Sequence, residues 1–302
     1  MSRRSRRKGR DITGILVLDK PVGESSNRSL QRVKRLFNAN KAGHTGSLDP
    51  LASGVLPICL GEATKLSSFI LDADKAYRVT IKLGEKTDTA DSEGQVIQQI
   101  EPDVSLKQLD AALKSFSGEI QQLPPMYSAL KHQGQPLYKY ARKGVEIERK
   151  TRLVTIHSCE LQSFDGINLE LVVECSKGTY IRSIADDLGD MLGCGGHVTA
   201  LRRLKAGPFT IAQAQTMEGL DELAVKGLEA LDNTLQNADL AVSNLPAVRL
   251  SDDVAHYIRL GQAVITRHLP TEGLVRLYSE DVFIGIGSIL EDGRVAPKRL
   301  FI

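Results

Sequence analysis

The stretch that decides the fold of this chain is a short loop, Gly43-His44-Thr45-Gly46-Ser47-Leu48-Asp49-Pro50-Leu51-Ala52-Ser53-Gly54. Three glycines and a proline in twelve residues disfavour a regular element. Glycine adopts backbone angles closed to other residues, and Pro50 pushes Asp49 towards an extended conformation. The loop is therefore shaped around one carboxylate, that of Asp49. Considered alone, the segment also fits an ordinary turn in which the Asp caps a backbone amide.

Motifs on both sides of this loop share one family pattern. They are Leu18-Asp19-Lys20-Pro21, Leu56-Pro57-Ile58-Cys59-Leu60-Gly61-Glu62-Ala63-Thr64-Lys65, Lys75-Ala76-Tyr77-Arg78-Val79, Thr87-Asp88-Thr89-Ala90-Asp91-Ser92-Glu93-Gly94, Pro125-Met126-Tyr127-Ser128-Ala129, Cys175-Ser176-Lys177-Gly178-Thr179-Tyr180-Ile181-Arg182 and Leu201-Arg202-Arg203. In this order the chain resembles the TruB family of tRNA pseudouridine synthases. The resemblance implies an enzyme that isomerises uridine to pseudouridine at position 55, in the T loop of tRNA, with no cofactor.

Pseudouridine formation breaks the N1–C1′ bond, rotates the base and joins C5 to C1′. The resemblance makes Asp49 the catalytic residue, because a carboxylate can attack or abstract a proton without a metal. The sequence is compatible with attack at C6, attack at C1′ or proton abstraction. The family pattern places Arg182 against Asp49, where its charge would favour the ionised carboxylate, and Asp91 behind Arg182.

The same resemblance implies a set of substrate contacts. Tyr77 and Tyr180 are expected to hold the uracil once it has left the base stack, and Tyr77 can also accept the C5 proton. His44 would fill the gap left by the flipped base, and Leu201 would line the pocket. Lys20 would stabilise the fold or contact a phosphate. Taken singly, each tyrosine is more typical of a core residue.

Composition limits the other classes of function. The chain has 302 residues, 41% of them hydrophobic and 25% charged, and a net charge of +2, so contact with RNA must come from local basic patches. The four cysteines and six histidines show no metal-ligand spacing, and no apolar run approaches the ~20 residues that span a bilayer. We expect a cytoplasmic protein with reduced thiols, no metal, no membrane contact and no implied protein partner, a monomer by default.

Two regions concentrate positive charge. Residues 1–10 contain six basic residues and no acid, which predicts a disordered basic arm. Residues 123–152 contain seven basic residues, two acidic residues and three tyrosines, a net charge of +5. Rings interleaved with cations suit RNA, because bases stack on rings while cations meet phosphates. We therefore predict a basic helical insertion that clamps tRNA; a surface insertion without a partner is the alternative.

Periodicity predicts the fold class. Residues 12–18 and 77–83 have strand patterns, and residues 153–164 and 167–175 form a predicted hairpin around Asp165-Gly166. Strands joined by hairpins, with interspersed helices, indicate α+β architecture with a mixed, largely antiparallel sheet. We assign residues 11–245 to a catalytic domain of the pseudouridine synthase type. Residues 246–302, after Leu245-Pro246, look like a small PUA-type β-barrel that binds RNA.

Three alternative functions remain at this stage. An RNA-binding or RNA-folding factor would need the basic regions but not Asp49, Tyr77 and Arg182 as a set. A metal-dependent hydrolase built on Asp49 would need further ligands near the loop, and the sequence provides no second carboxylate or Asp/His pair there. Relatives directed by a guide RNA would perform the same chemistry on other RNAs.

Overall fold

The computed structural model describes residues 9–267 and 269–301. Most of the predicted basic arm, residues 1–8, lies outside the described residues. Arg10, assigned to the arm from its charge, is instead part of the folded domain. Its backbone N–H donates to the carbonyl of Asn38 at 2.7 Å, and its guanidinium forms an ion pair with Asp232. Arg10 therefore belongs to the folded part, where an acid distant in sequence neutralises it, and the extent of the basic arm stays a prediction.

The first domain alternates strands with short helices. Its strands are β1 (Gly14–Lys20), β2 (Ala42–His44), β3 (Ala52–Leu60), β4 (Lys75–Leu83), β5 (Glu85–Thr87), β6 (Val96–Gln99), β7 (Gly118–Gln122), β8 (Lys131–His132), β9 (Gln135–Pro136), β10 (Arg152–Phe164), β11 (Asn168–Cys175), β12 (Gly196–Ala206), β13 (Phe209–Thr210) and β14 (Gln215–Thr216). Its helices are α1 (Ser26–Leu36), α2 (Ser67–Asp72), α3 (Leu106–Lys114), α4 (Leu137–Ala141), α5 (Ile181–Met191), α6 (Met217–Lys226) and α7 (Leu228–Asp232), with 3₁₀ turns at Gly61–Leu66, Ile211–Gln213 and Ala238–Val242.

One mixed sheet forms the centre of this domain. Its strand order is β14-β1-β3-β12-β4-β11-β10-β7, with β2 paired to β3 and β13 paired to β12. The β1–β14 and β3–β12 pairs are parallel and the other pairs are antiparallel. The predicted α+β class with a mixed, largely antiparallel sheet is thus confirmed. At the predicted hairpin, Asp165 accepts bonds from the N–H groups of Ile167 and Asn168.

The side of the sheet that packs against α5 is buried. The alternating residues Val79 and Ile81 of β4 are fully buried, and they share a core cluster with Ile184 and Leu188 of α5. Helix α5 packs closely on β12 at Gly189, where a side chain would collide with the backbone of Gly196. This contact fixes α5, which carries Arg182, against the central strands.

The acidic segment after β14 neutralises part of α1. Ser25 caps α1 by accepting a bond from the N–H of Arg28. Arg32, on the basic face of α1, forms an ion pair with Asp221 of α6. Part of the positive charge of α1 is therefore used within the fold.

The insertion over residues 123–152 is less helical than predicted. Its described elements are the two-residue strands β8 and β9 and the five-residue helix α4; the rest is irregular. Gln133 and Gly134 have positive φ angles of 49° and 81°, which form the turn between β8 and β9. Pro136 immediately precedes α4 and Gly144 lies three residues after its end, and both residue types disfavour a longer helix.

The C-terminal domain is a separate four-stranded sheet. Its elements are β15 (Ala247–Leu250), α8 (Asp252–Arg259), β16 (Leu274–Ser279), β17 (Val282–Ile289) and β18 (Val295–Leu300), and the strands follow the order β15-β16-β17-β18. Helix α8 covers the sheet with Ala255 and Ile258. Within the described residues the sheet is open, so the predicted PUA-like barrel is not confirmed. No helix among these residues is long and apolar enough to cross a membrane.

The two domains are joined by specific contacts. The Nζ of Lys65 donates to the carbonyl of Leu300 at 2.6 Å, and the hydroxyl of Tyr278 donates to Asp239 at 2.7 Å. Ile286 of β17 belongs to an apolar cluster formed mainly by the first domain. The C-terminal sheet is thus fixed to the side of the domain that carries β1 and β3.

Candidate active site

The Asp49 loop connects β2 to β3 and is held from two sides. The hydroxyl of Ser26, at the start of α1, accepts from the N–H of Leu48 at 2.8 Å and donates to its carbonyl at 3.0 Å. The N–H of Gly23 donates to the carbonyl of Pro50 at 2.8 Å. Gly46 has a φ of +77°, which a glycine adopts without strain. These bonds fix the backbone on both sides of Asp49.

Three ionisable side chains meet at this loop. Arg182, on the first turn of α5, places Nη2 3.0 Å from Oδ2 of Asp49 and Nη1 3.3 Å from Oδ2 of Asp91. The guanidinium also donates to the carbonyl of Tyr127 at 2.7 Å. Arg182 and Asp91 have side chains only 6% and 3% exposed, whereas that of Asp49 is 42% exposed. The carboxylate of Asp49 is therefore the member of this cluster that a substrate can reach.

The electrostatic balance at Asp49 is uneven. Burial raises the pKa of Asp49 above its ordinary value; the positive charges of Arg182 and Lys20 lower it, and the negative charge of Asp91 raises it further. The net direction is upwards, although Arg182 is in contact. Arg182 therefore limits the effect of burial on the pKa of Asp49 rather than reversing it.

This balance makes a prediction about stability. Because the pKa of Asp49 in the folded protein lies above that of the unfolded chain, ~3.9, folding favours the protonated carboxyl. That contribution is present at acid pH and is lost as the pH rises through the raised pKa. We expect Asp49→Asn to melt at the same or a higher temperature than the wild type at pH 7.5, with the difference shrinking towards pH 4.

Thermal unfolding followed by circular dichroism measures this effect. Asp103→Asn is the matched control, because Asp103 is exposed and has no hydrogen-bond or ion-pair partner in the described structure. A melting temperature several degrees below that of the wild type at pH 7.5 would show that the ionised carboxylate stabilises the fold.

Tyr77 lies beside the loop on β4. It is paired with Val173 on β11 and with Arg203 on β12, and it packs against the same apolar cluster as Leu48 and Leu201. Burial raises the pKa of the Tyr77 phenol, and the charge of Arg203 opposes this shift. Leu201 is only 8% exposed. The structure thus brings Tyr77 and Leu201 to the loop, and their contacts with a base remain predictions.

Tyr180 precedes α5 and has one ring face covered. The guanidinium carbon of Arg152 lies 4.6 Å from the centre of the Tyr180 ring. Both backbone polar groups of Tyr180 bind the side chain of Gln122. Only the ring face opposite Arg152 is therefore left for a stacked base.

Lys20 and Asp91, two further residues that the resemblance implied, are both buried. Lys20 is fully buried; its Nζ donates to the carbonyls of Pro21 and Glu24, both at 2.6 Å, and burial lowers its pKa to about 8. Its place in the chain therefore favours the fold-stabilising role over a phosphate contact. Asp91 is 2% exposed and accepts from Arg182, Thr89 and Glu93, so it positions Arg182 and cannot touch the substrate directly.

His44 sits at the edge of the loop in a partly buried position. Its Nδ1 is buried and has no hydrogen-bond partner among the described residues. Burial and the charge of Arg203 lower the pKa of His44, so its ring is neutral at physiological pH. A neutral ring with an unused nitrogen is compatible with the predicted place beside RNA, which remains a prediction.

Arg203 is a residue of the site whose role the sequence did not reveal. It is 1% exposed; its Nε donates to the carbonyl of Val55 at 2.6 Å and its Nη2 to that of Gly46 at 3.0 Å. Both acceptors belong to the Asp49 loop or the strand that follows it. The sequence could have indicated this role through the spacing of two residues between Leu201 and Arg203, because that spacing places both side chains on the same face of β12.

The described residues contain no group of three or more His, Cys, Asp or Glu side chains that could hold a metal ion. The mixed sheet has the pseudouridine synthase fold, and Asp49 on the loop between β2 and β3 meets Arg182 on the first turn of α5. The chain superimposes on a chain of the "Crystal Structure of a Cbf5-Nop10-Gar1 Complex" with a TM-score of 0.75 and 27% identity. The superposition covers 96% of this chain and 85% of the other.

The family follows from sequence comparison. Residues 34–181 match the model "TruB family pseudouridylate synthase (N terminal domain)", residues 182–243 match "tRNA pseudouridylate synthase B C-terminal domain" and residues 246–301 match "Pseudouridine synthase II TruB, C-terminal". The chain is 54% identical to tRNA pseudouridine synthase B of Yersinia pestis (strain Pestoides F), over 99% of this chain and 95% of that protein. It is 52% identical to the protein of that name from Serratia proteamaculans (strain 568), over 99% and 98%. The chain belongs to the TruB family of pseudouridine synthases, which are isomerases.

Proposed function

We propose that this enzyme converts uridine to pseudouridine at position 55, in the T loop of tRNA. The observation that carries the proposal is the exposed carboxylate of Asp49 held 3.0 Å from the buried guanidinium of Arg182. Arg182 is itself anchored by Asp91 and by the carbonyl of Tyr127, so the pair is preorganised before substrate arrives. The name of the bacterial relatives, tRNA pseudouridine synthase B, supports tRNA as the substrate.

The proposed reaction needs no cofactor because it is an isomerisation. The N1–C1′ bond breaks, the uracil rotates within the site and a C5–C1′ bond forms. The proton on C5 leaves to a base and N1 ends protonated, so atoms and electrons balance. Asp49 acts as the nucleophile or base at the sugar or at C6. Tyr77, which neighbours the loop, accepts the C5 proton.

The target base must leave the T loop to reach Asp49. Unstacking a base costs a few kcal/mol, and contacts with side chains must offset that cost. We assign Tyr77 and the open face of Tyr180 to the extruded uracil, with Leu201 beneath it. His44 takes the space that the base leaves in the loop.

The insertion is proposed to bind the T arm. Lys131, Lys139 and Lys143 are exposed, and the Arg142 guanidinium lies over the Tyr138 ring at 5.5 Å. Replacing the three lysines by Gln is expected to weaken binding to tRNA. It should also make the slope of log K against log salt shallower by ~0.7–0.9 for each phosphate that the variant no longer neutralises.

Filter binding at several salt concentrations checks this expectation. The control replaces three exposed lysines elsewhere, Lys107, Lys114 and Lys226, by Gln, which makes the same change in net charge. Equal losses of affinity and slope in both triple variants would contradict a specific role for the insertion.

The C-terminal domain is proposed to be a PUA-like module that extends the RNA-binding surface. We also propose that the enzyme acts alone as a monomer in the cytoplasm, where its tRNA substrate and its four free thiols would both be expected. The chain resembles proteins solved in a Cbf5-Nop10-Gar1 complex and in an H/ACA RNP bound to a substrate RNA, and the partners there belong to those assemblies.

The position of the product distinguishes the tRNA enzyme from the guide-directed alternative. Chemical labelling of pseudouridine followed by primer extension on an unmodified tRNA transcript, with this protein alone, should give one stop, at position 55. A transcript in which another T-arm uridine is replaced by cytidine should give the same stop. Modification that requires an added guide RNA, or stops elsewhere, would contradict the proposed substrate.

A further inference from the structure

The insertion leaves and rejoins the main sheet at two residues that face each other. Gln122 ends β7, Arg152 begins β10, and the two are directly paired in the antiparallel ladder. Both side chains contact Tyr180, the residue that precedes α5. The base of the insertion is therefore also the support of the segment that carries the active-site arginine.

Gln122 binds the backbone of Tyr180 through both ends of its amide. Its Nε2 donates to the carbonyl of Tyr180 at 3.0 Å, and its Oε1 accepts from the N–H of Tyr180 at 2.8 Å. The side chain is fully buried. Tyr180 is the N-cap residue of α5 and makes no side-chain capping bond, so the Gln122 amide fixes the position at which the helix begins.

Two further bonds run from the start of the insertion to the same helical turn. The hydroxyl of Ser183 donates to the carbonyl of Leu123 at 3.0 Å, and Nη2 of Arg182 donates to that of Tyr127 at 2.7 Å. The Gln122 contact differs from these two bonds because it needs both the N–H donor and the oxygen acceptor of one side-chain amide.

We propose that Gln122 is a positioning residue for the isomerisation: by clamping the backbone of Tyr180 it holds the Tyr180 ring and the Arg182 guanidinium in register with Asp49. This inference rests on the proposed function. Gln122 does not touch the substrate. It acts through Tyr180, which is proposed to contact the uracil, and through Arg182, which pairs with the carboxylate of Asp49. The amide of Gln122 has both a donor and an acceptor, and neither Ala nor Met supplies that pair at the same place.

The test compares Gln122→Ala and Gln122→Met with Gln121→Ala. Gln121 is the preceding residue of β7, is exposed and points to the opposite face, so it matches Gln122 in strand and chemistry. Single-turnover formation of pseudouridine on an unmodified tRNA transcript is measured beside the Kd for that transcript. We expect both Gln122 variants to slow the reaction about 10- to 100-fold with Kd within about twofold of wild type, and Gln121→Ala to match the wild type.

A pH profile separates positioning from a merely structural role. Arg182 lowers the pKa of Asp49, so a displaced Arg182 leaves that pKa higher. The acid limb of the single-turnover rate should therefore move to higher pH in the Gln122 variants. Loss of stability alone would not move it. Gln122→Met is neutral and close in size to the native residue, and it keeps the test available if Gln122→Ala does not fold.

Rates within twofold of wild type in both variants, or an unshifted acid limb, would overturn the role of Gln122 while leaving the proposed function in place. An inactive wild type that still binds the transcript would instead overturn the proposed function, and this inference with it. The two failures are therefore distinguishable in one set of measurements.

Discussion

Replacing Asp49 with Asn is expected to abolish pseudouridine formation, with a fall of at least about a thousandfold in the single-turnover rate, as is typical when an enzyme loses its nucleophile. Asn keeps the size of the side chain and can still accept from Arg182, but it carries no charge and is a poor nucleophile. Binding of tRNA should change little, because Asp49 is a single acid beside an extended basic surface. Single-turnover rates and filter binding with an unmodified transcript measure both effects.

The matched control for this variant is again Asp103→Asn, which makes the same chemical change at an exposed site. Its rate and affinity should equal those of the wild type. Asp49→Asn with a rate within tenfold of the wild type would show that another group performs the chemistry.

Replacing Arg182 with Met is expected to reduce both stability and rate. Asp91, whose side chain is 3% exposed, would lose its only ion-pair partner in the described structure. Removing one member of a buried pair costs about 3–5 kcal/mol in the free energy of unfolding. The rate should fall by at least about a hundredfold, because Asp49 loses the charge that favours its ionised form.

A double variant separates these two effects. Adding Asp91→Asn to Arg182→Met removes the uncompensated buried charge, so part of the lost stability should return while the rate stays low. Arg78→Met is the control for stability, because Arg78 pairs with Glu170 on the surface, where such a pair contributes about 0–1 kcal/mol. Recovery of the rate in the double variant would show that Arg182 acts only through the stability of the fold.

Features that depend on local pattern could be predicted from the sequence. The cap at Ser25, the strand that contains Tyr77 and the hairpin at Asp165 each follow from a few neighbouring residues, and the structure contains all three. The meeting of Asp49 with Arg182 could be expected only through the family resemblance, because the two lie far apart in the chain.

Hydrogen bonds between side chains and backbone groups that meet only in the folded chain could not be predicted. Lys20 looked available to a phosphate, but the carbonyls of Pro21 and Glu24 use its amine in a buried position. Gln122 looked like any polar strand residue until Tyr180 was placed beside it. Carbonyl and N–H groups have no signature in the sequence, so their partners become visible only in the folded chain.

Release of tritium from C5 of uridine tests the central claim most directly, because only a reaction that replaces the C5–H bond liberates it. The substrate is an unmodified tRNA transcript labelled at C5, incubated with this protein and no added cofactor or guide RNA. We predict release of about one tritium per tRNA, and none from a transcript whose T-loop target uridine is cytidine. No release from a transcript that the protein nevertheless binds would contradict catalysis and leave an RNA-binding or RNA-folding factor in its place.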